Sequence, residues 1–285
     1  MTGAVTVFSI AMNSFTSCAA IMLNIVAIIA LRKTPSLRKP LKILLLSISV
    51  SDLCVGLLVQ PLYVALHLID KRNPIVAPLQ RVNIISTTFF CTATLLGICA
   101  VSVDRFLTIH LQPRYQEIVT HRRVEAVVIS NRVLSAVLSL PRIHSEKAEW
   151  IILAIIVFIT LGCLVAIAII YVKLYVVLKH HIMQAQALNI NLDSQTTVAI
   201  EDTARQKKCT VAIFYLYLTL LICYLPNACL ALMIVVDASF PFEIIYFSDS
   251  LVYLNSSLDP LIYCWKMRQA RLAAMNILRN INFRC

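Results

Sequence analysis

Ile98–Leu111, ICAVSVDRFLTIHL, sets an acid and a base side by side, Asp104 and Arg105, inside an otherwise apolar run. Ionisable residues at membrane depth are costly and mark function by default, whereas an arginine near a helix end can snorkel to the head groups. The rest of the chain decides between these readings. It has 285 residues, 60% of them hydrophobic and 14% charged, with a mean hydropathy of +0.83. A soluble domain carries far more charge, so the composition points to a multispan membrane protein. With four glycines and long unbroken apolar runs, the chain lacks the alternating pattern of a β-barrel. Helices are then the way to satisfy backbone polar groups in lipid, and the expected class is an all-α membrane protein.

Seven runs are long enough to cross about 30 Å of hydrocarbon, which takes roughly 20 helical residues. They lie at about Val5–Leu31, Ile43–Leu66, Val82–Leu107, Val124–Leu140, Trp150–Val177, Thr210–Val236 and Ile244–Trp265. The fourth is the weakest, being short and interrupted by Asn131 and Arg132. The first is long enough to span and has no charged segment before it, so it reads as a span and not as a cleavable signal peptide. The chain thus reads as a single seven-transmembrane helix bundle over 1–285.

The net charge of +11 is sorted by side, which argues for a lipid bilayer and not nucleic acid as its partner. Nineteen basic residues fall on one side, in LRKTPSLRKPLK, Arg105 with RYQEIVTHRR, the stretch from Lys173 through ARQKK, and the tail from Lys266. Five fall on the other: Lys71, Arg72, Arg81, Arg142 and Lys147. Positive charge stays inside, which puts the N-terminus outside the cell and the C-terminus in the cytoplasm. Two cytoplasmic segments carry further expectations. His180–Lys208 reads as a mobile loop between helical extensions. The tail 266–285 interleaves basic residues with Leu272, Met275, Ile277 and Leu278, the pattern of an amphipathic helix on the inner leaflet. None of the ten cysteines lies in a segment assigned to the outside, so no disulfide framework is expected.

Without the aliphatics, a sparse polar set remains at membrane depth: Asn24, Asp52, Thr94, Arg105, Asn255, Ser256 and Asp259. A lone Asn or Ser there usually bonds a neighbouring helix, but an ionised carboxylate needs a cation, a proton or donors.

The order of these residues resembles the rhodopsin-like, or class A, G protein-coupled receptors over nearly the whole chain. The first run carries Asn24 in IMLNIVAII and the second Asp52 in SVSDLCVG. The third ends in DRF, Asp104 to Phe106, followed by Tyr115 in QPRYQEIVT. The fifth has Tyr171 in IIYVKLY, the sixth CYLP ending at Pro226, and the seventh DPLIY from Asp259 to Tyr263. The resemblance implies a receptor that passes an extracellular ligand signal to a heterotrimeric G protein. It assigns the switch to Asp104, Arg105, Tyr115, Tyr171 and Tyr263, and helix bends to Pro226 and Pro260. It also implies a sodium pocket of Asp52, Thr94, Asn255, Ser256 and Asp259, whose oxygen ligands suit a hard cation. No cofactor is expected beyond that allosteric sodium ion at Asp52.

Several family positions differ. The cysteine at the outer end of the third helix falls near Gln80, so the usual disulfide to the short loop RIHSEKAEW is missing, as it is in melanocortin, cannabinoid and lysophospholipid receptors. The fifth-helix proline is Cys163, the sixth-helix phenylalanine Leu220 and the usual tryptophan Tyr224. The fourth-helix tryptophan falls at Asn131 or Arg132, and an arginine there must find a partner or snorkel a long way. Gln206 stands where many relatives place an acid against the switch arginine. The retinal lysine position is Tyr253 and the amine-binding aspartate position Thr87. Asp249, eleven residues before Pro260, either faces the bundle, where it could pair with a cationic ligand group, or lies solvated at the rim. Thr87, Cys91, Tyr224, Asp249 and Tyr253 are the candidate ligand pocket for an unidentified ligand. No enzyme is expected, since no Ser/His/Asp set, metal cluster or phosphate-binding glycine loop occurs. The alternatives are a transporter or channel that uses the buried acids, and a receptor-like protein that no longer signals.

Overall fold

The structure, a computed structural model, describes the backbone of residues 2–34, 37–70, 72–111, 114–140, 146–188, 194–236, 242–266, 271–272 and 275. Side chains are described over most of 5–140 and over 151–177, 214–236 and 244–262. Among the described residues the regular structure is helical throughout. Seven long helices follow the apolar runs: α1 Thr2–Lys33, α2 Lys39–Leu68, α3 Val76–Leu111, α4 His121–Ser139, α5 Glu146–Leu188, α6 Ser194–Val235 and α7 Phe242–Lys266. A short turn of helix, Tyr115–Ile118, lies between α3 and α4.

The burial pattern is inverted relative to a soluble protein. Phe15, Met22, Phe158 and Ile222 point outward, while Asn24, Asp52, Gln60, Asn255 and Asp259 are buried. Lipid rewards that arrangement, because apolar side chains lose nothing by facing acyl chains and polar groups must find partners inside. Among the described residues, five stretches are long and apolar enough to cross a membrane by themselves: Val5–Lys33, Lys39–Leu68, Val76–Leu111, Ile151–Val177 and Phe214–Val235. The polar residues of α4 and α7 explain why neither of these two helices meets that measure. In α7 they are Asn255, Ser256, Ser257 and Asp259, all turned into the bundle.

The helices close into a ring in which α1 packs on α2 and α7, α5 on α6 and α6 on α7. α3 runs through the middle, touching α2, α4, α5 and α6. Leu45, Ile48, Ile98, Val101, Ile167 and Leu220 form part of the apolar core around it. Two glycines set the closest approaches. A Cβ on Gly97 of α3 would fall 2.8 Å from Cγ1 of Ile48 on α2, and one on Gly56 would fall 3.0 Å from the Cβ of Ala20 on α1. Small residues at such crossings let backbones approach and gain dispersion contact.

α2 widens into a π-helical turn at Val55–Val59, just before Pro61. Proline supplies no N–H, so a carbonyl of the preceding turn needs another donor. Ser17 of α1 donates its hydroxyl to the Gly56 carbonyl at 2.7 Å, and the Gln60 amide donates to Thr16 Oγ1 at 2.7 Å. α6 and α7 continue through Pro226 and Pro260 as single helices. Arg132 finds its partner on α2 and does not snorkel. Its guanidinium donates to Ser51 Oγ at 2.5 Å, to the Ser47 carbonyl at 2.7 Å and to Ser47 Oγ at 2.9 Å.

The expected mobile loop at His180–Lys208 needs correction. The chain is helical to Leu188 and again from Ser194, with residues 189–193 outside the described residues. Ala, Gln, Leu and Met in HIMQAQAL favour helix, which carries α5 on past the apolar run. The seven described cysteines are free thiols. The tail helix expected after the seventh span falls outside the described residues, apart from Arg271, Leu272 and Met275, which are exposed.

Candidate functional site

Three polar layers follow one another along α3, which supplies a residue to each. The outer layer surrounds a cavity of about 220 Å³. All five residues of the expected ligand pocket line it: Thr87 and Cys91 from α3, Tyr224 from α6, Asp249 and Tyr253 from α7. Leu153, Val157 and Thr160 of α5 close the opposite wall. The Tyr224 hydroxyl donates to the Cys91 carbonyl at 3.2 Å. Thr87 donates to Asn83 Oδ1 at 2.9 Å and lies 3.1 Å from the Tyr253 hydroxyl. These bonds tie α6 and α7 to α3 across the cavity floor.

Asp249 is not at a solvated rim. It faces the bundle and lines the cavity, and Asn227 Nδ2 donates to its Oδ1 at 2.9 Å. Sequence reasoning missed Asn227 and Asn83. The available signal was an amide at Asn227 directly after Pro226, in a run where every polar group must be satisfied.

The middle layer is fully buried. Thr94 Oγ1 donates to Asp52 Oδ1 at 3.0 Å, and Asn255 Nδ2 donates to Asp259 Oδ2 at 2.9 Å. Asn24 Nδ2 donates to the carbonyls of Ala20 and Ser256, each at 2.9 Å, which pins α1 to α7. The Ser256 hydroxyl and the Asp259 carboxyl adjoin Asp52, so the five expected sodium-pocket residues come together. Asp52 Oδ2, Asp259 Oδ1, Asn255 Oδ1 and Asn24 Oδ1 meet no donor among the described residues. Four buried acceptor oxygens, two of them from carboxyls, are chemically suited to a small hard cation or to shared protons. Arg132 brings a positive charge to the α4 side of Asp52, through its bonds to Ser47 and Ser51.

The inner layer is the DRF motif. Arg105 donates to its neighbour Asp104 through Nε at 2.9 Å and also through Nη2. Tyr115 reaches back from the following loop and donates its hydroxyl to the other oxygen of Asp104 at 2.6 Å. Asp104, Arg105 and Tyr115 are all buried. Burial first, and then the hydrogen bond to Asp104, push the Tyr115 phenol from 10.0 up to about 12. The Arg38 guanidinium covers the Tyr115 ring, 5.4 Å from its centroid. Tyr171 packs in an aromatic group on α5 and α6, stacked on Tyr217 at 5.4 Å and edge-on to Phe214 at 5.6 Å. Tyr263 lies on the last turns of α7 and Gln206 on α6, and the side chains of both fall outside the described residues.

Residues 23–263 match the family described as 7 transmembrane receptor (rhodopsin family). Melanocortin receptor 5 of Homo sapiens is 24% identical over 280 residues, covering 92% of this chain and 81% of that receptor. Melanocortin receptor 4 of Danio rerio is 26% identical over 261 residues, 87% of this chain and 77% of its own length. A shorter match, 36% identical over 107 residues, links 37% of the chain to 18% of 5-hydroxytryptamine receptor 1 of Drosophila melanogaster. With the helix ring and its ordered polar layers, the match over 23–263 places the chain in the rhodopsin family of seven-transmembrane receptors, as a multi-pass membrane protein of the signal-transducing class.

Proposed function

We propose that this chain is a plasma-membrane receptor that couples a ligand in the outer cavity to a heterotrimeric G protein at the inner face, with its N-terminus outside and its C-terminus in the cytoplasm. The observation that carries this reading is the buried inner latch, in which Asp104 accepts from Arg105 on one oxygen and from Tyr115 on the other. A buried guanidinium that donates to a local acid is a stored contact: released, it offers its donors to a partner that docks at the inner face. The latch stands on the same helix as the cavity. Thr87 and Arg105 are 18 positions apart on α3, about 27 Å along its axis, so a shift imposed outside has a rigid path inward.

The middle layer regulates that coupling. Asp52, Thr94, Asn255, Ser256 and Asp259 would hold a sodium ion, whose charge would offset the two carboxylates and so favour the resting packing of α2, α3 and α7. The support for this is the set of buried acceptor oxygens without donors, two of them from carboxyls. Pro226 and Pro260 are the places where α6 and α7 yield when the bundle opens, since each lacks the N–H that would stiffen its turn. Tyr171 and Tyr263 take part at the inner ends of α5 and α7.

The test is G protein activation in cells that express the full chain or Arg105→Ala at matched surface levels, with and without a broad ligand panel. Output from the wild type that the variant loses supports the proposal. Equal output from both removes Arg105 from the coupling step, and solute flux that depends on Asp52 without any G protein response replaces it with transport.

A further inference from the structure

We infer that the ligand of the outer cavity is a small organic cation, an amine with a compact apolar or aromatic body, and that Asp249 on α7 is its anchor. This rests on the receptor reading for what binding triggers, but not for what binds. Among the described residues that line the cavity, Asp249 is the one carboxylate and there is no lysine, arginine or histidine. Asn227 holds one carboxylate oxygen, donating to Oδ1 at 2.9 Å, and its amide also reaches Ser248 Oγ at 3.2 Å. That clamp orients the carboxylate, which lines the cavity and takes no further side-chain hydrogen bond from the described residues. A carboxylate in an apolar enclosure, oriented by a neutral amide and lacking a cation, is a half-made ion pair.

The ligand's charge follows by elimination among ligand types. An anionic ligand meets like charge, and a neutral one leaves the ionised carboxylate without a countercharge. An ammonium completes it with a charge-assisted hydrogen bond. The remaining walls suit such a molecule. The Tyr224 and Tyr253 side chains line the cavity and can offer ring faces to a cation, and Leu153, Val157 and Val252 enclose an apolar body. At about 220 Å³ the cavity lies below the usual range of roughly 300–1,000 Å³ for ligand sites, which selects a compact molecule. The anchor also stands on a different helix from the amine-binding position noted in the sequence, Thr87. Here Thr87 is already engaged with Asn83 and the Tyr253 hydroxyl. An amine held from α7 therefore approaches from the opposite wall, with its body directed towards α3 and α5.

The experiment uses purified full chain and three matched probe sets on the same compact alkyl and arylethyl skeletons: primary to quaternary amines, the corresponding alcohols, and the corresponding carboxylates. The readout is the shift in melting temperature with probe concentration, in wild type, Asp249→Asn and Asp249→Glu. The expected result is stabilisation by members of the amine set only, at least tenfold weaker apparent affinity in Asp249→Asn, and partial retention in Asp249→Glu, which keeps the charge. The unliganded melting temperature of each variant shows whether it folds. Alcohols that bind as well as amines, amine binding that survives Asp249→Asn, or no stabilisation by any amine would each overturn the inference. Parallel G protein assays separate the two claims. Amine binding without signalling removes the receptor reading and keeps this one, whereas signalling evoked only by neutral or anionic probes does the reverse.

Discussion

Replacing Tyr115 by phenylalanine removes one hydroxyl and leaves the ring that packs beneath Arg38. The hydroxyl donates to Asp104 at 2.6 Å, a short charge-assisted bond, and it holds the carboxylate so that its other oxygen faces Arg105. Hydrogen bonds to charged groups contribute about 1.5–3 kcal/mol. The Arg105–Asp104 pair survives the substitution, so the low end applies, about 1.5 kcal/mol, or roughly tenfold in the balance between latched and released states. With an active minority on the order of 1% at rest, Tyr115→Phe is expected to raise it to about 10%. The assay is basal guanine-nucleotide exchange by the G protein in membranes, normalised to receptor at the surface. Asp104→Asn should raise basal exchange at least as far, because it removes the charge that both bonds share and replaces one of the two acceptor oxygens with a donor. The double variant should match Asp104→Asn alone, since Tyr115 acts through that carboxylate. Effects of Tyr115→Phe and Asp104→Asn that simply add, or unchanged exchange in both, would refute the latch.

Other expectations concern the same layers. The Tyr115 phenol, raised from 10.0 to about 12 in the fold, stays a donor to Asp104 at every cytosolic pH. Its contribution is complete below the unfolded value and is lost only as pH climbs through the folded one. The difference in basal exchange between wild type and Tyr115→Phe should therefore be flat between about pH 6 and 8, and a slope there would remove the phenol as the donor. Arg132→Met deletes three hydrogen bonds from α4 to α2, whose acceptors belong to two serines, Ser47 and Ser51. Interhelical bonds in membranes average about 0.6 kcal/mol, so a loss of about 2 kcal/mol is expected, read as a lower melting temperature of purified protein. A variant as stable as wild type would make Arg132 a bystander. Sodium titration in place of potassium should raise the melting temperature of wild type and not of Asp52→Asn, and equal responses would place the ion elsewhere.

The sequence carried the seven-helix class because membrane helices announce themselves through composition: apolar runs must be long, and buried acids cannot be accidental. Asp52, Arg105 and Asp259 therefore stand out as a set in the sequence itself. What surrounds them stands out less. Asp249 could not be placed between rim and bundle, because the face a residue presents near a helix end depends on tilt and rotation, which packing against neighbours sets. Arg132 was a charge without an account until α2 supplied Ser47 and Ser51, a tertiary pairing across 81 and 85 residues of chain. Asn227 has no motif to single it out from the apolar run around it, and only the fold turns it towards Asp249. The polar stretch NINLDSQTT predicts a mobile loop over His180–Lys208, whereas its flanks favour helix and carry α5 to Leu188 and α6 from Ser194.

Purified full chain reconstituted in lipid with a heterotrimeric G protein puts the coupling role of Arg105 to the most direct test. The rate of nucleotide exchange is measured for wild type and Arg105→Ala at equal receptor density, basally and with any ligand that stabilises the protein. Exchange catalysed by wild type, and reduced to the receptor-free rate in Arg105→Ala while the melting temperature stays within a few degrees, is the expected result. Equal catalysis by both proteins would contradict it, as would a wild type that never accelerates exchange.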